Sequence, residues 1–153
     1  MLETLIKAVT HPLLLTCIAA LVITQGIKLL LYSLRDKKIP WHMVLSTGGM
    51  PSSHASIVTA LTVGVLLFDG PTSLFVISLI FAGVVVRDAL GVRWLAGEQS
   101  IAINKIIMSL REEGKINIKN VRELLGHTPL QVYVGCALGL LIALAAHGVS
   151  MWT

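Results

Sequence analysis

Four apolar runs, roughly residues 13–32, 53–68, 72–88 and 130–147, leave this chain few folds to choose from. A bilayer core about 30 Å thick is crossed by about 20 residues of helix, with a range of about 17 to 25. Inside it every backbone polar group must be satisfied within the protein, which favours helices. The composition agrees: 55% of the 153 residues are hydrophobic and 13% charged, too greasy for an ordinary soluble domain. The expected fold is therefore all-α, an integral membrane helical bundle of about four transmembrane helices. Residues 1–153 are read as a single membrane domain. The start, Met1-Leu2-Glu3-Thr4, is not a basic leader, so the first run is expected to be retained as a helix.

Charge placement suggests how the bundle sits. Of the 12 Lys and Arg residues, all but Lys7 fall between Lys28 and Arg122, in or beside the connections after the first and third runs. Four spans put those connections on one face. By the positive-inside tendency that face is cytoplasmic, with both termini and the Asp69-Gly70-Pro71 turn outside. A bacterial-type plasma membrane is the expected location. Tyr32, Trp41, Trp94 and Tyr133 would fall at the same interface. The net charge of +4 suits anionic headgroups and calls for no nucleic acid.

Between the third and fourth runs, residues 94–111 are too polar to span. Ile103, Ile106, Ile107 and Leu110 recur at helical spacing, so an amphipathic surface helix is expected, ending near Gly114. Asn120-Val121-Arg122-Glu123 carries the signature of a short capped helix stopping at Gly126. Thr128-Pro129-Leu130-Gln131 repeats that signature at the head of the last run. Cys17 and Cys136 are isolated within apolar runs and read as packing residues.

The chemistry-bearing residues gather on the predicted cytoplasmic side. Gly48-Gly49-Met50-Pro51-Ser52-Ser53-His54 is a glycine-rich turn leading into an apolar run. A helix starting at Ser53 would aim its unpaired N–H groups and positive dipole end into that turn, a layout that holds phosphate. The glycines allow close backbone approach, Ser52 can cap, and His54 brings a titratable proton. Lys28 either snorkels to the headgroups or faces the interior. Arg87 and Asp88 either form a structural ion pair or join a site with Arg35, Arg93 and His127.

Three strings carry a family resemblance: Gly48–His54, Arg87-Asp88-Ala89-Leu90-Gly91-Val92-Arg93, and Leu125-Gly126-His127-Thr128-Pro129. Together they resemble the divergent branch of the type 2 phosphatidic acid phosphatase superfamily, which is related to acid phosphatases and vanadium-dependent haloperoxidases. The superfamily's first motif is lysine, six residues, arginine and proline; Lys28 and Arg35 have that spacing, with Asp36 in the proline position. Its second, proline-serine-glycine-histidine, is similar to Pro51-Ser52-Ser53-His54. Its third, serine-arginine, five residues, histidine, three residues and aspartate, aligns His127 with the histidine. Asn120 and Val121 then stand in the serine and arginine positions, Arg122 falls one place late, and Gln131 occupies the aspartate position.

The resemblance implies hydrolysis of a lipid or prenyl phosphate monoester without a metal or other cofactor. His127 would be the nucleophile and His54 the general acid. Phosphate contacts would come from Lys28, Arg35, Gly49, Ser52 and Ser53, with Arg87, Arg93 or Arg122 adding charge. A histidine nucleophile needs an acceptor behind its second nitrogen, and Gln131 can orient the ring but brings no charge. Asp88 or Glu123 is therefore expected near His127. The alternative is a non-catalytic lipid-phosphate binder or carrier using the same cradle. Four spans fall short of the six core helices of familiar relatives, so a homodimer is expected to cover lateral surface, through small residues such as Gly135 and Gly139 on the last span.

Overall fold

The computed structural model describes residues 1–37, 49–121 and 127–151. Among them six helices form in chain order: α1 Leu2–Val9, α2 Pro12–Asp36, α3 Ser53–Asp69, α4 Ser73–Leu90, α5 Val92–Glu112 and α6 Pro129–Ser150. No strand occurs among the described residues. The runs Pro12–Arg35, Ser73–Glu112 and Pro129–Ser150 contain helices long and apolar enough to cross a membrane, and α3, with 17 residues, is the shorter fourth. The all-α membrane bundle expected from the apolar runs is thus what the chain forms. The N-terminal helix α1 is an addition that the run analysis did not contain.

Local chemistry explains where the helices begin. Pro12 and Pro129 occupy the first helical positions of α2 and α6, where a missing N–H is harmless. At α6 the expected capping box forms, with Thr128 Oγ1 accepting from the Gln131 N–H and Gln131 Oε1 accepting from the Thr128 N–H. Ser52 caps α3, its hydroxyl accepting from the Ala55 N–H at 3.4 Å. At the end of α5 the N–H groups of Gly114 and Lys115 bond back to Arg111 and Leu110, and Gly114 takes a φ of +70°. That is a Schellman closure, which favours glycine there.

The bundle is organised around α3, which packs against α2, α4 and α6. Its buried face is mostly small residues, including Ser53, Ala55, Ser56 and Ala60, with Val58 and Val65 among them, so neighbouring backbones come close. The approach to α6 is closest at Gly135 and Gly139. A Cβ at either would collide with the carbonyl oxygen of Ser52 or Ser56, the small-residue contact by which membrane helices interlock. These two glycines therefore pack α6 within the chain, not against a second copy. Hydroxyls join the same interior: Thr24 Oγ1 donates to Ser56 Oγ at 3.0 Å, and Thr62 Oγ1 donates to the carbonyls of Val58 and Ser78.

The two ends of the bundle are distinct. At one end Leu13 lies beside Gly64 and the rings of Phe68 and His147 meet edge to face at 5.3 Å. The start of α2 and the ends of α3 and α6 therefore lie together. At the opposite end lie the start of α3, the end of α4 and the start of α6.

Helix α5 turns a different face inward from the one its isoleucines suggested. Gly97, Ser100, Asn104 and Ile107 are buried, whereas Ile103 and Ile106 are exposed. The reason is polar. Asn104 donates from Nδ2 to the Val121 carbonyl at 2.9 Å and accepts the Val121 N–H at 2.8 Å, clamping a returning segment to the helix. Arg111 adds bonds to the Ile118 carbonyl and to Asn120 Oδ1. Asn120 and Val121 themselves are irregular, and the rest of the short helix expected there, residues 122–126, lies outside the described residues.

Candidate functional site

The structure brings three of the predicted residues to one place. His54 on the first turn of α3, Asp88 near the end of α4 and His127 just before α6 line a single cavity with Val85 and Ala89. Its volume is about 10 Å³, room for about one water. His127 is 2% exposed, Asp88 is half-buried and His54 keeps an exposed flank. The helix starts that bound the cavity place it at the end of the bundle that carries the glycine-rich turn.

His127 is held by the residue that occupies the aspartate position of the third motif. Gln131 Oε1 lies 3.2 Å from His127 Nδ1 and accepts the Thr128 N–H at the same distance. An amide oxygen accepts only, so Nδ1 meets it as the N–H nitrogen, leaving the ring's lone pair on Nε2. The main-chain carbonyl of Gln131 also accepts the Ser52 N–H at 3.0 Å. One residue thus orients the imidazole, caps α6 and ties the start of α3 to both.

At the same end of the bundle α2 packs beside the glycine turn. Thr24, Lys28 and Tyr32 recur every four residues on one face of α2. Thr24 bonds Ser56, and a Cβ on Gly49 would stand 2.8 Å from the Tyr32 hydroxyl. Lys28, between them, therefore lies level with the first turn of α3. It is 1% exposed, which settles the choice between headgroup and interior in favour of the interior. Among the described residues no hydrogen bond or ion pair to its ammonium is recorded. Such a group is costly to keep away from water unless an anion joins it. Gly49 is buried with a φ of +94°, a backbone setting that favours glycine, and Ser52 and Ser53 are buried at the head of α3.

The remaining predicted cations are placed differently. Arg35 is exposed in the last turn of α2, its guanidinium 5.1 Å from the centre of the Tyr32 ring, so it is linked to the cradle through that ring. Arg87 points away from the cavity into an outward groove with Gly83, Val86, Leu90 and Gly91. It and Asp88, adjacent in sequence, thus serve different surfaces. Arg93 belongs to α5 by its backbone, its side chain lying outside what the structure describes, and Arg122 and Glu123 lie outside the described residues.

This geometry gives weight to the comparison with known proteins. The model of the Divergent PAP2 family matches residues 9–142. The chain belongs to that family. A relative in Bacillus subtilis (strain 168), the uncharacterized membrane protein YuiD, is 40% identical over 150 residues, covering 90% of this chain and 95% of its own. No solved structure matches. Membership agrees with the resemblance read from the three strings and with an integral membrane location.

Two residues at this end of the Divergent PAP2 chain carry no motif in the sequence. Tyr32, expected at the membrane interface, lies against the glycine turn; its spacing of four from Lys28 is the available signal. Thr24, one turn earlier on the same face, is the other.

Proposed function

We propose that the protein is a membrane phosphatase acting on a lipid or prenyl phosphate monoester through His127. The observation that carries this reading is the convergence of His54, Asp88 and His127 on one cavity, at the end of the bundle where Lys28 is buried. In this scheme the phosphate oxygens lie against Lys28 and the Gly49–Ser53 turn at the positive end of α3, with Arg35 at the rim. Nε2 of His127 attacks phosphorus, a P–N bond forms and the ester P–O bond breaks. His54 hands its proton to the departing alcohol oxygen. Water then cleaves the phosphohistidine, releasing phosphate and restoring the ring. Asp88, on the same cavity, offers the negative charge that Gln131 lacks. Because the cavity holds about one water, substrate entry requires it to widen.

A lipid substrate follows from location. The apolar tail stays in the bilayer while the head reaches the buried cation. The test is phosphate release by the purified protein from prenyl phosphates, lysophosphatidate and phosphatidate, beside His54→Ala and His127→Ala. Loss of release by at least about a hundredfold in both variants is expected. Equal release by all three proteins rejects the proposal.

One observation favours a second reading. The partner recorded at His127 Nδ1 is a neutral amide, which positions a ring without supporting a developing cation. A lipid-phosphate binder with the same cradle would therefore show saturable binding dependent on Lys28 and no phosphate release.

A further inference from the structure

We propose that the outward groove at the end of α4 is a second lipid site, distinct from the His54–Asp88–His127 cavity, which takes one anionic phospholipid by its phosphate on Arg87. The groove is about 490 Å³ and is lined by Gly83, Val86, Arg87, Leu90 and Gly91. Gly83 lies on the same stripe of α4 as Arg87, one turn before it, so the helix is hollowed on that side of the guanidinium, while Gly91 caps the helix end. Among the described residues nothing fills the hollow at Gly83: a Cβ there would meet no atom within 4 Å. Val86 and Leu90 supply apolar walls, and Arg87 supplies a planar donor fork suited to phosphate.

Depth decides what comes to this groove. The 18 residues of α4 make a rod about 27 Å long, close to the thickness of the bilayer core. Arg87 stands three residues from its end, at the depth of phosphate headgroups. The neighbouring start of α5 exposes Val92, Trp94 and Leu95, an interfacial composition. Among the described residues no carboxylate is recorded within ion-pair distance of Arg87, and Asp88 lines the other cavity. A cation exposed at headgroup depth, seated in a hollow fit for the upper part of an acyl chain, is complementary to an anionic phospholipid. The inference does not depend on the phosphatase reading.

The test is native mass spectrometry of the detergent-purified full chain, titrated with phosphatidylglycerol and, separately, phosphatidylcholine. The wild type is expected to retain one phosphatidylglycerol about fivefold more tightly than phosphatidylcholine, the weight of one basic side chain at an anionic surface. Arg87→Gln should erase that preference. Gly83→Leu, which the open space accommodates, should weaken retention of both lipids by filling the hollow. Both effects should persist in a His127→Ala background. Equal retention of the two lipids by the wild type overturns the proposal, as does a preference unchanged in Arg87→Gln and Gly83→Leu. Displacement of the lipid by inorganic phosphate alone, or its loss in His127→Ala, would also overturn it. So would a dimer in which the groove is closed to lipid.

Discussion

Gln131 performs its three tasks with one amide and one carbonyl, and exchanging it separates them. Gln131→Glu keeps an acceptor at the Thr128 cap and behind Nδ1 of His127 while adding a charge that stabilises an imidazolium. For a phosphohistidine enzyme, kcat should rise by about tenfold, the effect of a pairing worth about 1.4 kcal/mol. Gln131→Leu should lower kcat and also cost about 1 kcal/mol of helix cap. Measured turnover that falls equally in both variants would count against a nucleophilic His127. Lys28 offers the complementary experiment. Replacing its buried ammonium, which has no recorded partner among the described residues, by methionine should raise stability by about 1–3 kcal/mol, read as a higher melting temperature in detergent, while abolishing lipid-phosphate binding. A Lys28→Met protein that melts lower would show that the ammonium has a structural role. Of these residues, the histidines, Lys28 and Asp88 stood out from the sequence because charge and imidazole are rare in apolar runs. The task of Tyr32 did not, because an aromatic at a membrane boundary is ordinary and its contact is with a turn 17 positions away.

At the scale of elements, hydrophobic length and capping chemistry placed α2, α3, α4 and α6 to within a few residues at most ends. Every backbone bond in a membrane must be made locally, so apolar runs and helices nearly coincide. The orientation of α5 was not legible in the same way. Its isoleucine spacing pointed to one face, whereas the inward face is set by Asn104 reaching the main chain of Val121, a tertiary contact that periodicity does not encode. Asn104→Ala should release residues 115–121 from α5 at a cost of about 2 kcal/mol, two hydrogen bonds of about 1 kcal/mol each. Hydrogen exchange at Val121 is the measurement, and protection unchanged from the wild type would refute the clamp. The closeness of α3 and α6 was likewise hidden. Glycines on a membrane helix suit a partner chain as well as a neighbouring helix, and here the neighbour is α3. Gly139→Leu should therefore unfold the bundle in detergent, since the Ser56 backbone cannot yield to a branched side chain.

For the molecule as a whole, the asymmetry of basic residues and the two-ended bundle make one joint forecast. Ser150, at the end shared with the start of α2, should lie outside the cell, and Ser109, in α5, inside. With Cys17 and Cys136 replaced, a membrane-impermeant maleimide should label Ser150→Cys in intact cells and Ser109→Cys only after permeabilisation. The reverse pattern would move the His127 cavity to the outer face and contradict the positive-inside reading.

The smallness of that cavity bears on selectivity if the proposed reaction runs on the face the positive-inside tendency assigns, the cytosol. Sugar phosphates and nucleotides are abundant there, and any of them carries the group that the proposed reaction assigns to Lys28. Under the proposed reaction a cavity with room for about one water must widen to take a phosphate, and a soluble ester has little beyond its phosphate to do that work. An amphiphile anchored in the membrane brings additional binding energy from its chain. Discrimination against dissolved metabolites would then arise from the small resting cavity, without any residue that inspects the rest of the headgroup.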